Sequence, residues 1–357
     1  MCASPHIPSA AHTHAQVLDL LNLWQRDFPL VSRPFDVIAQ ALGTSVSSVI
    51  AQMQALERSG ALSRIGGVFA AQAGGAAVLA AMAVAPERLD AVAACVSAHP
   101  GVNHNYEREN HHNLWFVVTA PCEATLAQTL QSIQQQTGLP ALSLRMRKPY
   151  RIDLGFDLRH GVATARADAT VTGAAEEAPV ATSAAPVASA VVARNDVPLA
   201  ALVEGGLPLV EQPFLQWAQT LGWPEATVID TLHAWLRQGL LRRFGVIVRH
   251  HELGFDANAM TVFDVPDAQV DACGERLARC PEVTLAYQRE RAAGWPYNLY
   301  CMVHGRDRAT VQAHIEDITR CCGLADVPRE ILFSRRRFKQ VGARRFRPLA
   351  MPETVSC

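Results

Sequence analysis

Apolar residues recur along the chain at two periods, and the switches between them mark out its elements. Over 46–58, Val46, Val49, Ile50, Met53 and Leu56 fall at the three- and four-residue spacing of one helical face, and Gly60 stops that helix. Leu62 to Phe69 then reads as a strand. The pattern next predicts a strand near 77–85, a helix near 87–98 and strands near 102–108 and 113–119. A helix near 122–136 and a strand near 141–148 complete the set. The front part is therefore a helix–helix–turn–helix followed by a wing. The back part has the order βαββαβ, a ferredoxin-like module.

The whole pattern occurs twice. PLVSRPFDVIAQALG from Pro29 and PLVEQPFLQWAQTLG from Pro208 open two stretches that register without a gap at an offset of 179. They match Pro34 with Pro213, Phe35 with Phe214, Gly43 with Gly222, Gly60 with Gly239 and Gly66 with Gly245. Further on, HPGVNHNYEREN aligns with CPEVTLAYQRER, pairing Tyr106 with Tyr287 and Arg108 with Arg289. His112-Asn-Leu-Trp115 then meets Tyr297-Asn-Leu-Tyr300, after four extra residues in the second copy. Duplication of one unit explains this register, and the second module runs from about Ala257 to Arg335.

The predicted class is α+β, a tandem of winged helix-turn-helix and ferredoxin-like units. Winged units fall at 11–75 and 198–255, and ferredoxin-like modules at 76–158 and 256–346. Between the copies, 159–197 is rich in Ala, Thr, Ser and Pro and has no aromatic, which predicts a flexible linker. A linker of that length spans roughly 35 Å root-mean-square, enough for the copies to pack as an internal pseudo-dimer.

Composition narrows the function classes. A net charge of −1 argues against a dedicated nucleic-acid binder. Only two of the 32 basic residues are lysines, Lys148 and Lys339, so cation chemistry here is arginine chemistry, suited to bidentate recognition of carboxylate or phosphate. The nine cysteines form no CxxC, so neither a zinc ribbon nor a redox pair is indicated. His251-Glu252 begins like HExxH, but Phe255 stands where the second histidine would be, and no metal site is expected. The first residues lack a basic and then apolar leader, and the longest near-apolar run, Gly74 to Ala85, is too short for a bilayer. A cytoplasmic protein without membrane contact is expected. Nucleotide-binding and serine-hydrolase motifs are missing.

DNA binding, the usual work of such a front part, is poorly served. The helix at 46–59 offers Gln52, Gln54 and Arg58 against Glu57, and the helix at 224–238 carries Glu225 and Asp230 against His233 and Arg237. Other residues hold more chemistry. Alternation along Phe244, Val246 and Val248 predicts that His250 falls on the apolar side, with Arg249 and His251 opposite. Tyr106 and Arg108, like Tyr287 and Arg289, share one strand face, which could hold a ligand by its aromatic and cationic groups or serve as a dimer interface.

A helix-turn-helix unit followed by a ferredoxin-like module resembles the Lrp/AsnC architecture. The stretch from Arg242 to Phe255 (RRFGVIVRHHELGF), with Tyr287-x-Arg289 and Trp295 to Gly305 (WPYNLYCMVHG), is similar to siroheme decarboxylases, and two copies in one chain resemble their fused form in heme d1 biosynthesis. That resemblance implies removal of the C12 and C18 acetate carboxyls of siroheme, giving 12,18-didecarboxysiroheme and CO2. It implies no cofactor, because the iron arrives with the substrate. It suggests His250 as catalytic, with His111 or its neighbour His112 assisting from the other copy. Arg242, Arg243, Arg249, Tyr106, Arg108, Tyr287, Arg289, Tyr297 and Trp115 are the implied substrate contacts. Implied partners are siroheme and other heme d1 biosynthesis proteins, with no DNA and a possible homo-oligomer. A tetrapyrrole-responsive regulator and a non-catalytic tetrapyrrole carrier are the competing readings.

Overall fold

The computed structural model describes residues 20–152, 155, 191–347 and 349, with the side chain of His250 outside that description. The body of the expected linker, 161–190, also lies outside the described residues. Copy one contains α1 (Pro34–Leu42), α2 (Val46–Ser59) and the wing strand β1 (Leu62–Phe69). Its module runs β2 (Ala76–Met82), α3 (Leu89–Ala98), β3 (Val102–Arg108), β4 (Leu114–Ala120), α4 (Glu123–Thr137), β5 (Leu142–Leu144) and β6 (Met146–Ile152). Copy two repeats this with α5 (Val197–Gly205), α6 (Pro213–Leu221), α7 (Glu225–Arg237) and β7 (Leu241–Val248). Its module follows as β8 (Ala257–Phe263), α8 (Val270–Arg279), β9 (Val283–Arg289), β10 (Leu299–Gly305), α9 (Arg308–Cys321) and β11 (Arg329–Gln340).

Local sequence accounts for these elements. α3 buries Leu89, Val92, Ala93 and Val96, and α8 buries Val270, Cys273, Gly274 and Leu277, the same apolar stripe in both copies. Gly43 and Gly222 take φ of 63° and 68° and close α1 and α6 as left-handed caps, so their match in the repeat has a backbone cause.

The two front parts form one body. β1 pairs antiparallel with β7, and Gly66 faces Gly245 at the middle of the register. A Cβ on Gly245 would come within 2.5 Å of the carbonyl oxygens of Trp24 and Gln25, and one on Gly66 within 2.7 Å of that of Val203. Each wing strand is thus crossed closely by backbone from the other copy. Phe35, Ile38 and Met53 of copy one share a single apolar core with Phe214, Trp217 and Trp235 of copy two. The ends of the second helices are engaged across the copies as well: Ser32 donates to the Glu225 carboxylate, and the Gln54 amide to the Leu209 carbonyl.

The modules join through exchanged strands. The nine-stranded order is β5-β2-β4-β3-β11-β8-β10-β9-β6, with every pairing antiparallel. β5 and β6 are consecutive pieces of one segment, so the two ends of this order meet and the sheet closes on itself. The strand expected at 141–148 is broken at Arg145: β5 pairs with β2 of its own copy and β6 with β9 of the other. β11 does the same, with residues 329–333 on β8 and 334–340 on β3. Helices cover the two outer faces, and Leu79, Trp115, Met260, Tyr287, Tyr300 and Leu332 fill the interior between the sheets.

Order in copy two begins before the expected boundary at 198. Val192 is buried and donates to the Ala73 carbonyl at 2.8 Å, and a 3-10 turn over Arg194–Asp196 leads into α5. After β11 the chain returns to copy one, where Val341 N–H donates to the Asn103 carbonyl and Arg344 N–H to Thr119 Oγ1 at 2.9 Å. Among the described residues, no helix is long and apolar enough to cross a membrane.

Candidate functional site

One end of the interior between the sheets is polar and open. His104, Tyr106 and Arg108 alternate on β3, and Asn258 on β8, His304 on β10 and Ser334 on β11 join them. Tyr106, Asn258, His304 and Ser334 line a cleft of about 510 Å³ including its mouth, closed by His251, Phe255 and Asp256 on one side and Arg335, Arg336 and Arg337 on another. The rings of His104 and Tyr106 lie parallel within 19°, with centroids 6.3 Å apart. Ser334 Oγ donates to Asn258 Oδ1 at 2.7 Å. Arg108 donates to the Leu332 carbonyl at 3.0 Å beneath them.

Charge is arranged around this cleft in two shells. Arg336 pairs with Glu107 and Asp90, Arg337 with Glu252, and Arg335 lies 3.6 Å from Glu109, so the rim is a row of arginines on short acidic tethers. Inside, burial pushes His304 down to about 4, helped by the Arg108 charge. Burial, then Arg64 and Arg108, hold His104 at about 4 too. Both are neutral at physiological pH. His304 Nδ1 lies 2.9 Å from Thr284 Oγ1, and that hydroxyl also lies 3.0 Å from the Met302 carbonyl. A hydroxyl that donates to Met302 must accept from His304, which fixes the histidine proton on Nδ1.

The residues singled out in the sequence fall into three groups. Tyr106 lines the cleft. Arg108 is 7% exposed and spends its guanidinium on the Leu332 carbonyl and Asn258, supporting the floor. Of the wing arginines, Arg242 is exposed, Arg243 donates to the carbonyls of Gln25 and Val246, and Arg249 donates to that of Gly60. The second group lies on β9, away from this cleft. Arg289 donates to the Leu144 carbonyl at 2.7 Å, and Tyr287 is 6% exposed and stacked on Tyr300. The third surrounds the β3–β4 hairpin: His111 is exposed, His112 packs on Trp295, Trp115 is buried beside it, and Tyr297 also packs on Trp295. None of these residues lines the cleft.

His250 requires a correction of geometry. β7 ends at Val248, so the alternation expected to point His250 toward apolar neighbours stops before it reaches that residue. His250 instead opens a 3-10 turn, His250–Leu253, and its side chain lies outside the described residues. The turn itself bounds the cleft through His251.

Sequence reasoning passed over His104, His304, Asn258 and Ser334, and it read Arg335 to Arg337 as a solvated cationic strand end. A signal existed in the repeat. By the repeat's register and the strand pairings, His104 corresponds to Leu285, His304 to Thr119, Asn258 to Ala77 and Ser334 to Met146. The polar end is the place where the copies differ, and the chain's own tail covers Thr119 at the other.

A duplicated helix-turn-helix and βαββαβ unit with a cleft between the copies defines a tandem Lrp/AsnC-type protein. Family models agree: the AsnC-like ligand binding domain matches residues 72–151 and 252–339, and the siroheme decarboxylase NirDL-like HTH domain matches 19–62 and 199–242. The siroheme decarboxylase NirDL subunit of Paracoccus denitrificans (strain Pd 1222) is 42% identical over 91% of this chain and 96% of its own length. The siroheme decarboxylase NirL subunit of Stutzerimonas stutzeri is 48% identical over 42% of this chain and 88% of its own. A crystal structure of the siroheme decarboxylase NirDL in co-complex with an iron-uroporphyrin III analogue matches with a TM-score of 0.63 at 26% identity, covering 94% of both chains. The chain belongs to the siroheme decarboxylase NirDL family.

Proposed function

We propose that this chain decarboxylates siroheme, removing the C12 and C18 acetate carboxyls to give 12,18-didecarboxysiroheme and two CO2 in heme d1 biosynthesis. The observation that carries the reading is the polar cleft between the copies, where the neutral His304 faces an arginine rim suited to a macrocycle bearing many carboxylates. Iron belongs to the substrate, and the chain needs no further cofactor. The reaction then takes place in the cytoplasm without DNA or membrane.

Each decarboxylation breaks the bond between the acetate methylene and its carboxyl carbon. CO2 leaves, the electron pair passes to the methylene and its pyrrole ring, and one proton restores a methyl group. The protein must hold the carboxylates that stay, shield the one that leaves, and supply that proton. Arg335, Arg336 and Arg337 suit the first task, and Tyr106 and Phe255 give the second an apolar wall. His250 is the proposed proton donor, since its turn bounds the cleft through His251 and imidazole is a side chain suited to proton transfer. A histidine near 4 does not donate a proton at neutral pH, so His304 serves as an acceptor or as a contact to the substrate's iron. His111 stands apart from the cleft, and the assisting role passes to His304.

The test is anaerobic incubation of the purified chain with siroheme, followed by mass spectrometry of the tetrapyrrole. Loss of two carboxyls without added cofactor is expected. Siroheme recovered bound but unchanged would make the protein a carrier or sensor, and absence of binding would end the reading.

A further inference from the structure

The module of copy two holds a pair of thiols that the order of the sequence conceals. Cys280 follows the last turn of α8 and Cys322 that of α9, two helices that pack in one core on the same face of the sheet. Their Sγ atoms lie 3.6 Å apart. Arg276, one turn back on α8, donates from Nε to the Cys322 carbonyl at 2.9 Å and so ties the end of one helix to the end of the other. The Cys280 thiol donates in turn to the Arg276 carbonyl. Both cysteines are thus held at braced helix ends, and their contact is not left to two loose side chains.

Access to the two is unequal. Cys280 is half-buried, whereas Cys322 is 2% exposed and faces the module core. Cys301 on β10 lies in the same core, sealed from solvent, and Cys321 is exposed. A small oxidant can reach Cys280, and Cys322 stands in contact to complete a bond. Shortening the contact to a disulfide of about 2.05 Å asks for about 1.5 Å of approach, within reach of side-chain rotation at two helix ends.

We propose that Cys280 and Cys322 are a reversible oxidation site, closing a disulfide that clasps α8 to α9 when a small disulfide such as oxidised glutathione accumulates. The Cys280 thiolate attacks one sulfur of oxidised glutathione and expels a glutathione thiolate. The Cys322 thiolate then attacks the Cys280 sulfur and expels the second. The two protein thiols are oxidised, the glutathione disulfide is reduced to two thiols, and the protons lost by the cysteines end on glutathione. Burial, then the hydrogen bond with Cys280, pushes the Cys322 thiol up to about 12, and burial raises that of Cys280. Little thiolate is present at neutral pH, so the pair answers sustained oxidising conditions and not a brief pulse. The bond closes a loop of about 40 residues within copy two, a constraint that stabilises the folded chain. Neither cysteine lines the cleft, so the site is independent of the macrocycle bound there.

The experiment incubates the reduced full chain with oxidised glutathione, blocks the remaining thiols, digests with trypsin in the absence of reductant and sequences the linked peptides by mass spectrometry. A peptide joining Cys280 to Cys322 is expected in the parent and in Cys321→Ser, where the adjacent thiol cannot be mistaken for it. Oxidation should raise the thermal midpoint by about 4 °C or more, dithiothreitol should reverse the rise, and Cys280→Ser should show none. A cross-link that vanishes in Cys321→Ser, glutathione retained on Cys280 without a cross-link, or a midpoint that falls on oxidation overturns the inference. Cys280 is half-buried, so its serine variant should keep the reduced parent's midpoint within about 2 °C. Should that variant fold poorly, the cross-link and the midpoint shift in the parent and in Cys321→Ser decide the question alone.

Discussion

His104 and His304 show how position overrides residue type. An ordinary histidine titrates near 6.5, yet burial beside Arg108 brings both to about 4. The sign of the consequence follows from proton binding: between about 6.5 and about 4 the unfolded chain takes up protons that the folded chain refuses. Stability from this source is complete above about pH 6.5 and is lost as pH falls toward 4. Thermal midpoints should decline between about pH 7 and about pH 5, and the double substitution His104→Asn with His304→Asn should flatten the decline. A profile identical to the parent's would show these histidines to be ordinary. At this scale the sequence was partly legible. Tyr106 with Arg108, and Tyr287 with Arg289, read correctly as pairs sharing a strand face. What their identical pattern hides is that both arginines are bonded to carbonyls of crossing strands, Leu332 and Leu144, and that of the two tyrosines only Tyr106 lines the cleft beside His304.

The wing strands carry the lesson for elements. Gly66 and Gly245 matched in the repeat, and the structure shows them facing each other while backbone from the opposite copy presses on each. Gly66→Ala should therefore cost about 1–3 kcal/mol in urea unfolding, because its Cβ would meet the Val203 carbonyl rather than a movable side chain. A loss below a few tenths would mean the contact relaxes freely. Helices and strands were legible to within a few residues because each has its own apolar period. Two ends were not: the break at Arg145, where a strand leaves one sheet for another, and the end of β7 before His250. Neither is set by local propensity. Pairing partners decide both, and β6 and β7 find theirs in the other copy.

Across the whole molecule, closure of the sheet makes the copies interdependent. β6 completes the sheet of copy two and β11 that of copy one, so neither half alone has a covered edge. A chain divided within 161–190 should assemble as a one-to-one complex when both halves are co-expressed, and each half alone should self-associate or aggregate, as size-exclusion chromatography would show. Two well-behaved monomeric halves would contradict the strand exchange.

The sequence by itself determined the duplicated unit, its helices and strands, and the family motifs, since periodicity, caps and repeated glycines are written in order along the chain. It could not decide which end of the interior would hold the site. The two copies offer nearly the same strands, and the choice rests on His104, Asn258, His304 and Ser334 converging from four strands that are distant in sequence. Only the closed sheet brings them together, and desolvation there keeps the two histidines neutral.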